Sequence, residues 1–472
     1  MKGLLNRDSH ENPALWLALL GTAVRKPYTA THAFVIARQR GVDVVRGHCR
    51  HAMRGPKIVP RRLERKLPNV GRLVLTTLSI ASLAGSCWGA PGEAPAVAWS
   101  RAFGGPGFQV GVAARQNEDG SYVVVGNTGP SQEAYVHGPT DPCVARLDSA
   151  GAVVWYRTYP GLAWDTVHSA VIKPDGSLLA VGVEYRPGPP VESDVFVLMT
   201  SPGGDPLRHE LLPGTGGAVA SGLARTRDGG YIITGWVPDG YLNLGSSAVL
   251  LLKLDATLTE EWRSSFGGLD NDYGSDVNQT ADGGYVIAGD SRSWTDGYGQ
   301  VDLIRTDAAG NKLWERVYGG SGYPSSGAYS GCQTADGGYV ITGNVTEAQD
   351  AGTKALLLRT DSAGQELWRR VFPEGAVGGC VRETSDGGFI VSGTTRALTT
   401  ADCDIYLVKT DASGYVVWET ILGGEFGDGA ASVEETHDGG YVVAGVLSYS
   451  EPDEADIYVV KFSAENPPPA TV

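Results

Sequence analysis

The chain has little of what catalytic and metal sites are usually made from. Its 472 residues include six Cys, eight His and three Met. Four of the His precede residue 52, and the others, His137, His168, His209 and His437, lie far apart without ligand spacing. No Cys-x-x-Cys pair is present, which removes the common zinc and dithiol frameworks. Walker loops, His-Glu-x-x-His, EF-hand loops and Gly-x-Ser-x-Gly elbows are also missing. Basic charge is scarce beyond residue 90, where 23 Lys and Arg face 49 Asp and Glu, a net of −26. That balance argues against nucleic acid, which needs basic patches over phosphates. After residue 98 no apolar pattern at i, i+3, i+4, i+7 is sustained, so no helix is expected.

What the chain has instead is repetition. QTADGGYVIAG (Gln279 to Gly289) returns as QTADGGYVITG (Gln333 to Gly343). Asp-Gly followed by Gly or Ser and an apolar run occurs seven times, at Asp119, Asp175, Asp228, Asp282, Asp336, Asp386 and Asp438. The steps are 56, 53, 54, 54, 50 and 52 residues. A second phrase, Asp-x-x-Gly-x-x-x-Trp, runs in phase, as in DAAGNKLW, DSAGQELW and DASGYVVW. Trp99, Trp155, Trp262, Trp314, Trp368 and Trp418 hold its last place, which falls on Arg208 in the second unit.

Each unit divides into four strands: one before Asp-Gly-Gly, then YVIAG, DIYLVK and the Trp strand. Their β-branched and aromatic content fits strands, and Asp-Gly-Gly and Asp-x-x-Gly fit hairpin turns. Four antiparallel strands per fifty-odd residues, seven times over, predict an all-β chain forming a seven-bladed β-propeller. The chain enters the array on a Trp strand near Trp99 and leaves on DIYVVKF. The first strand is therefore expected to complete the last blade and close the ring.

The Asp-x-x-Gly-x-x-x-Trp phrase resembles the tryptophan-docking repeat of the quinoprotein-like, PQQ-type propeller superfamily. The full unit is most similar to DGG-repeat propellers of uncharacterised secreted and cell-surface proteins of bacteria and archaea. The resemblance covers about residues 98–465 and implies a fold without an activity, since the recurring residues are turn and packing residues. Quinoprotein alcohol dehydrogenases have eight blades and two adjacent Cys beside the quinone; this chain has neither an eighth unit nor a Cys-Cys pair.

The front of the chain is of another kind. Residues 1–90 hold fifteen Lys and Arg and four Asp and Glu, a net of +11. Residues 61–86 run from basic to apolar to small, as a secretory signal peptide does. Cys87 follows in LAGSC, which looks like a lipoprotein box lacking its usual Leu three places before the Cys. The organisation expected is an over-extended or disordered 1–52, a signal peptide at 53–90, a linker at 91–97, the propeller at 98–465 and a Pro-rich tail at 466–472. The protein is expected to be exported, whether secreted, periplasmic or lipid-anchored at Cys87.

Antiparallel pairing puts both variable connections of each unit on one face, and binding residues concentrate on such loops. Trp164, Trp236 and Trp294 fall in or beside these connections in the second, third and fourth units. Tyr185, Tyr241, Tyr273 and Tyr298 accompany them, with Asp165, Asp239, Asn243, Asp270, Asn271, Asp272 and Asp296 nearby. Aromatic plates flanked by acids and amides suit a sugar ring or an exposed peptide; the alternative is that they pack loops onto the sheets. DNDYGSD (Asp270 to Asp276) has a composition that fits calcium but not the spacing of a known motif. No other cofactor is expected. Cys332 and Cys380 hold positions from which neighbouring strands could bridge them, although buried thiols are the plainer expectation. The leading reading is a non-catalytic binding or scaffold protein, with a protein or carbohydrate ligand at the envelope or outside the cell. The alternatives are a carbohydrate-active or quinone-dependent enzyme and an envelope assembly factor.

Overall fold

The computed structural model describes residues 92–465, apart from 132–138, 162–163, 187–191, 239–245, 294–298, 320–324, 347–351, 375–376, 396–402, 425 and 450–453. The described residues form 28 strands, β1–β28, and no helix. The first unit supplies β2 (Phe108–Gln116), β3 (Tyr122–Gly129), β4 (Asp141–Leu147) and β5 (Val153–Thr158). Units two to six each form one four-stranded antiparallel sheet in sequence order. Their first strands are β6 (Trp164–Ile172), β10 (Val219–Arg225), β14 (Asp272–Gln279), β18 (Ser325–Gln333) and β22 (Val377–Glu383). The sixth sheet has eight strands. It joins β2 to β5 with β26 (Gly429–Glu435), β27 (Tyr441–Ser448), β28 (Ala455–Phe462) and β1 (Val97–Phe103). β1 pairs antiparallel with β28, Trp99 opposite Lys461, and only Phe108 and Ala455 link the two halves in parallel. This all-β set of repeated four-stranded sheets is the plan of a β-propeller.

The first strands touch in succession, β2 to β6, β6 to β10 and so on to β26, and β26 touches β2. Each carries a bulge at the same place, for example at Val112, His168 and Tyr329. Second strands such as YVIAG are buried on both sides because a sheet lies against each face, whereas fourth strands such as VVWYRT are mostly exposed. Hence apolar residues run continuously in the second strand rather than alternating.

Three side-chain devices recur along the array, the first within a unit and the other two between neighbours. The first Gly of each Asp-Gly-Gly turn has φ between +76° and +92°, and the turn's Asp reaches a basic residue of the third strand. Lys409 Nζ lies 2.8 Å from Asp386 Oδ2 and also donates to Thr410 O. In the second device the Trp ring lies over the next unit's Asp-x-x-Gly glycine. A Cβ on Gly310 would stand 2.4 Å from Trp262, and one on Gly364 2.8 Å from Trp314. The same ring meets the next unit's aromatic edge to face, as Trp314 meets Tyr339 at 5.7 Å. Thirdly, a Gln or Glu at the end of the first strand accepts from the preceding turn: Arg227 N to Gln279 Oε1, 2.9 Å, and Ala281 N to Gln333 Oε1, 2.7 Å.

The second unit breaks all three. Met199 stands where the basic residue would be and Arg208 where the Trp would be, and β6 ends in Ile172. Its successor answers: Leu258, at φ +66°, replaces the docking glycine, and β10 ends in Arg225. With Arg208 in the Trp position of the second unit no indole claims this place, and Leu258 packs there in one buried cluster with Leu179, Val197 and Leu254. The thiols of Cys143, Cys332 and Cys380 are not in disulfides, and burial raises Cys332 to about 11 and Cys143 to about 12.

Candidate functional site

The ends of the first and second strands away from Asp-Gly-Gly carry the residues singled out by sequence. Trp294, Tyr241, Tyr298, Asp296, Asp239 and Asn243 lie outside the described residues, as does Cys87. Trp164 opens β6 opposite Tyr185 and is half-buried. Trp236 crosses Tyr273 edge to face at 6.1 Å, bringing the third and fourth units together. Its Nε1 is buried without a hydrogen-bond partner among the described residues. Tyr273 is held above its ordinary pKa by burial.

The acids of DNDYGSD point different ways. Asp272 is 1% exposed and accepts from Ser291 Oγ (2.5 Å), Ser293 Oγ (2.6 Å) and Gly268 N (2.9 Å), which ties the loop to its own sheet. Asp270 caps Asn271 N at 2.7 Å. Asp276 lies past the bulge of β14 and accepts from Ser330 Oγ and Gly331 N of the next unit, at 3.0 and 3.2 Å. No group of three metal-ligating side chains occurs among the described residues.

Two further groups lie at this end, one around Asp165, which the sequence placed beside the aromatics, and one at Asp290, which it did not single out. Asp165 is fully buried and lies 3.0 Å from His209 Nε2. Burial, then the charge of Asp165, raises the neighbouring Glu184. Asp290 is raised to about 7 by burial, against the opposing hydrogen bond from Ala328 N. The equivalent Asn127 uses Oδ1 for Val167 N (2.7 Å) and Nδ2 for Val167 O (2.9 Å). A protonated Asp290 offers the same donor and acceptor pair, which is why the neutral acid suits that place. The signal was in the sequence: Asp290 stands one residue after the Gly of YVIAG, where Asn127 and Asn344 stand in theirs.

Between the first strands lie two cavities. One, of about 150 Å³, is lined by residues beside the bulges, including His168, Asp276, Ser330, Arg382 and Ser432. His168 Nδ1 lies 2.8 Å from Ala220 O, and burial lowers its pKa. The neutral ring therefore donates there and leaves Nε2 as an acceptor, which is buried and unpartnered among the described residues, as is Ser432 Oγ. The other cavity, of about 320 Å³, lies toward the Asp-Gly-Gly turns. Arg382 and Glu434, 3.1 Å apart, line both.

No protein-family model matches the chain, and no curated protein matches its sequence. Solved structures resemble it in fold. A protein of unknown function from Bacteroides caccae is 13% identical, with TM-score 0.39, over 67% of this chain and 94% of that one. The Pan2 WD40 domain of Neurospora crassa is 9% identical, with TM-score 0.48, over 79% of this chain and 97% of that one. Sqt1 from Chaetomium thermophilum is 11% identical, with TM-score 0.42, over 76% and 97%. At such identities the likeness concerns the path of the chain and not its chemistry.

Proposed function

We propose that the protein is an exported, non-catalytic binding or scaffold protein, built as seven blades in a ring that β1 closes by completing the last blade. The β1–β28 pairing and the succession of first-strand contacts from β2 to β26 and back support the ring. The basic-then-apolar run at residues 61–86 supports export. The observation that carries the function is the difference between the two ends of the sheets. One end consists of short, near-identical Asp-Gly-Gly turns. The other consists of connections of unequal length, with Trp164, Trp236 and Tyr273 at their bases.

The ligand class is a carbohydrate or an exposed peptide of the envelope or extracellular surroundings, taken on the loop face over units two to four. Aromatic faces there stack on apolar ligand surfaces, and loop acids accept from hydroxyls. A thermal-shift series with oligosaccharides, Ca²⁺, EDTA and a quinone tests this, because a ligand of the folded state raises Tm with the logarithm of its concentration over Kd. The expected result is a shift with one oligosaccharide that disappears in Trp236→Ala and Trp164→Ala. A visible chromophore with alcohol oxidation, or turnover of a polysaccharide lost on mutating the loop acids, would replace this reading with an enzymatic one.

A further inference from the structure

We propose a second ligand site at the opposite end, in the 320 Å³ cavity, that takes a small molecule bearing a carboxylate or phosphate group. Three arginines line this cavity, Arg115, Arg225 and Arg382, against one carboxylate, Glu434, together with the amide of Asn278. The formal balance is +2 in a region of the chain that carries −26. Glu434 is already engaged by Arg382 Nε at 3.1 Å. Arg115 spends one Nη1 bond, 3.0 Å, on Ile172 O.

Arg225 supplies the cation that has no side-chain partner among the described residues. Its position at the end of the first strand is Gln116, Gln279, Gln333, Glu383 or Glu435 in other units, and each of these accepts from the preceding unit's turn. An arginine has no acceptor to offer there. Arg225 makes no hydrogen bond or ion pair among the described residues and lines the cavity instead. The donor this clasp would need, the backbone N of the residue before Asp175, belongs to Pro174 and carries no hydrogen, so position 225 is released from the clasp and its guanidinium is left to the cavity. Guanidinium groups take oxyanions through paired, charge-assisted N–H donors. The volume equals about ten waters, enough for a small di- or tricarboxylate or a phosphate ester.

The test is isothermal titration of the purified full chain with citrate, inorganic phosphate and sulfate, with chloride holding ionic strength constant. Citrate against phosphate distinguishes the two oxyanion sources. Arg225→Gln keeps a polar side chain at a position where Pro174 offers no N–H to accept, so it should fold with an unchanged Tm while Kd rises about tenfold, the worth of one charge-assisted hydrogen bond. Arg115→Gln should weaken binding likewise. The proposal is overturned if none of the three anions gives heat beyond the chloride control at about 10 mM, a concentration well above any useful affinity. It is equally overturned if binding persists unchanged in the Arg115→Gln, Arg225→Gln double variant, which would place the anion on the basic residues 1–90.

Discussion

Units two and five have the same four strands but hold their neighbours differently. In unit five Arg359 grips Asp336, Trp368 covers Gly414, Tyr339 receives Trp314 and Gln333 holds Ala281 N. In unit two the corresponding residues are Met199, Arg208, Leu178 and Ile172. Every one of these has lost its hydrogen bond or its ring contact. The loss of the indole at Arg208 is matched across the boundary with unit three, where Leu258 stands in for glycine. The indole and its glycine thus change together there, whereas Asp175 and Trp155 keep their places although Met199 and Leu178 no longer answer them.

The largest expected effect tests the pairs that remain. Trp314→Ala should lose about 3–5 kcal/mol in urea unfolding, the usual range for truncating a large packed aromatic, whereas Arg208→Ala should lose less than about 1 kcal/mol. Equal losses would erase the contrast between the units. Next, Arg208→Trp alone should destabilise by about 1–3 kcal/mol, because the indole meets the Leu258 side chain. Adding Leu258→Gly should recover most of that, with a coupling of about 1–3 kcal/mol in a double-mutant cycle; strict additivity would show that the two sites are independent.

A smaller effect concerns the position after the second-strand glycine, which is Val183 in unit two and Asp290 in unit four. The folded pKa of Asp290, about 7, lies above the unfolded value of about 3.9. The folded state keeps its proton longer, so stability falls as pH rises from about 4 to about 7 and is level above that. Asp290→Asn should remove this slope, gaining about 1–2 kcal/mol at pH 8 and almost nothing at pH 4. Urea midpoints across that range measure it, and an unchanged slope would assign the titration to another group.

The smallest effect gives unit six the Met of unit two. Burial opposes ionisation of Asp386, but the Lys409 ammonium and the Thr384 hydroxyl outweigh it and hold the acid at about 2. That folded value is below the unfolded one, so the stabilisation is present above about pH 4 and is lost as pH falls toward 2. Because the carboxylate is 58% exposed, solvent screens the pair, and Lys409→Met should lose only about 0.5–1 kcal/mol at pH 7. The variant's acid unfolding should also be shallower.

The sheet plan was legible because it is written seven times. Asp-Gly-Gly marks hairpins that need positive φ, and the Trp and Gly of the second phrase recur since they meet in space. The pairing of the turn's Asp with Lys or Arg was in the sequence too, as the K of LVK, but 23 to 27 residues separate the partners and strand alternation gives no hint of it. The bulges were not legible. First strands differ in composition from unit to unit, and a bulge depends on the register with the second strand. Hence the cavity residues Arg225 and Arg382 drew no notice, and His168 was set aside for lacking ligand spacing. The sequence pointed to the loop face as the variable end, and there Asp272 and Asp276 are tied to backbone and hydroxyl groups of their own and the next unit. Sequence shows that an acid is present; only packing shows whether its lone pairs are already taken.

The pairing of β1 with β28 has a consequence for how the molecule comes into being. Strand β1 is synthesised early and must wait for some 350 residues of chain before its partner exists. Until then Val97 to Phe103 is an unmatched strand, a template for pairing with another chain. Growth of the molecule on the ribosome is thus sheet by sheet for most of its length, with one late, long-range step that commits the whole. A nascent chain stalled before Ala455 would carry nearly every sheet and still display that strand. In the cell, synthesis would have to shield β1 until the last strand arrives.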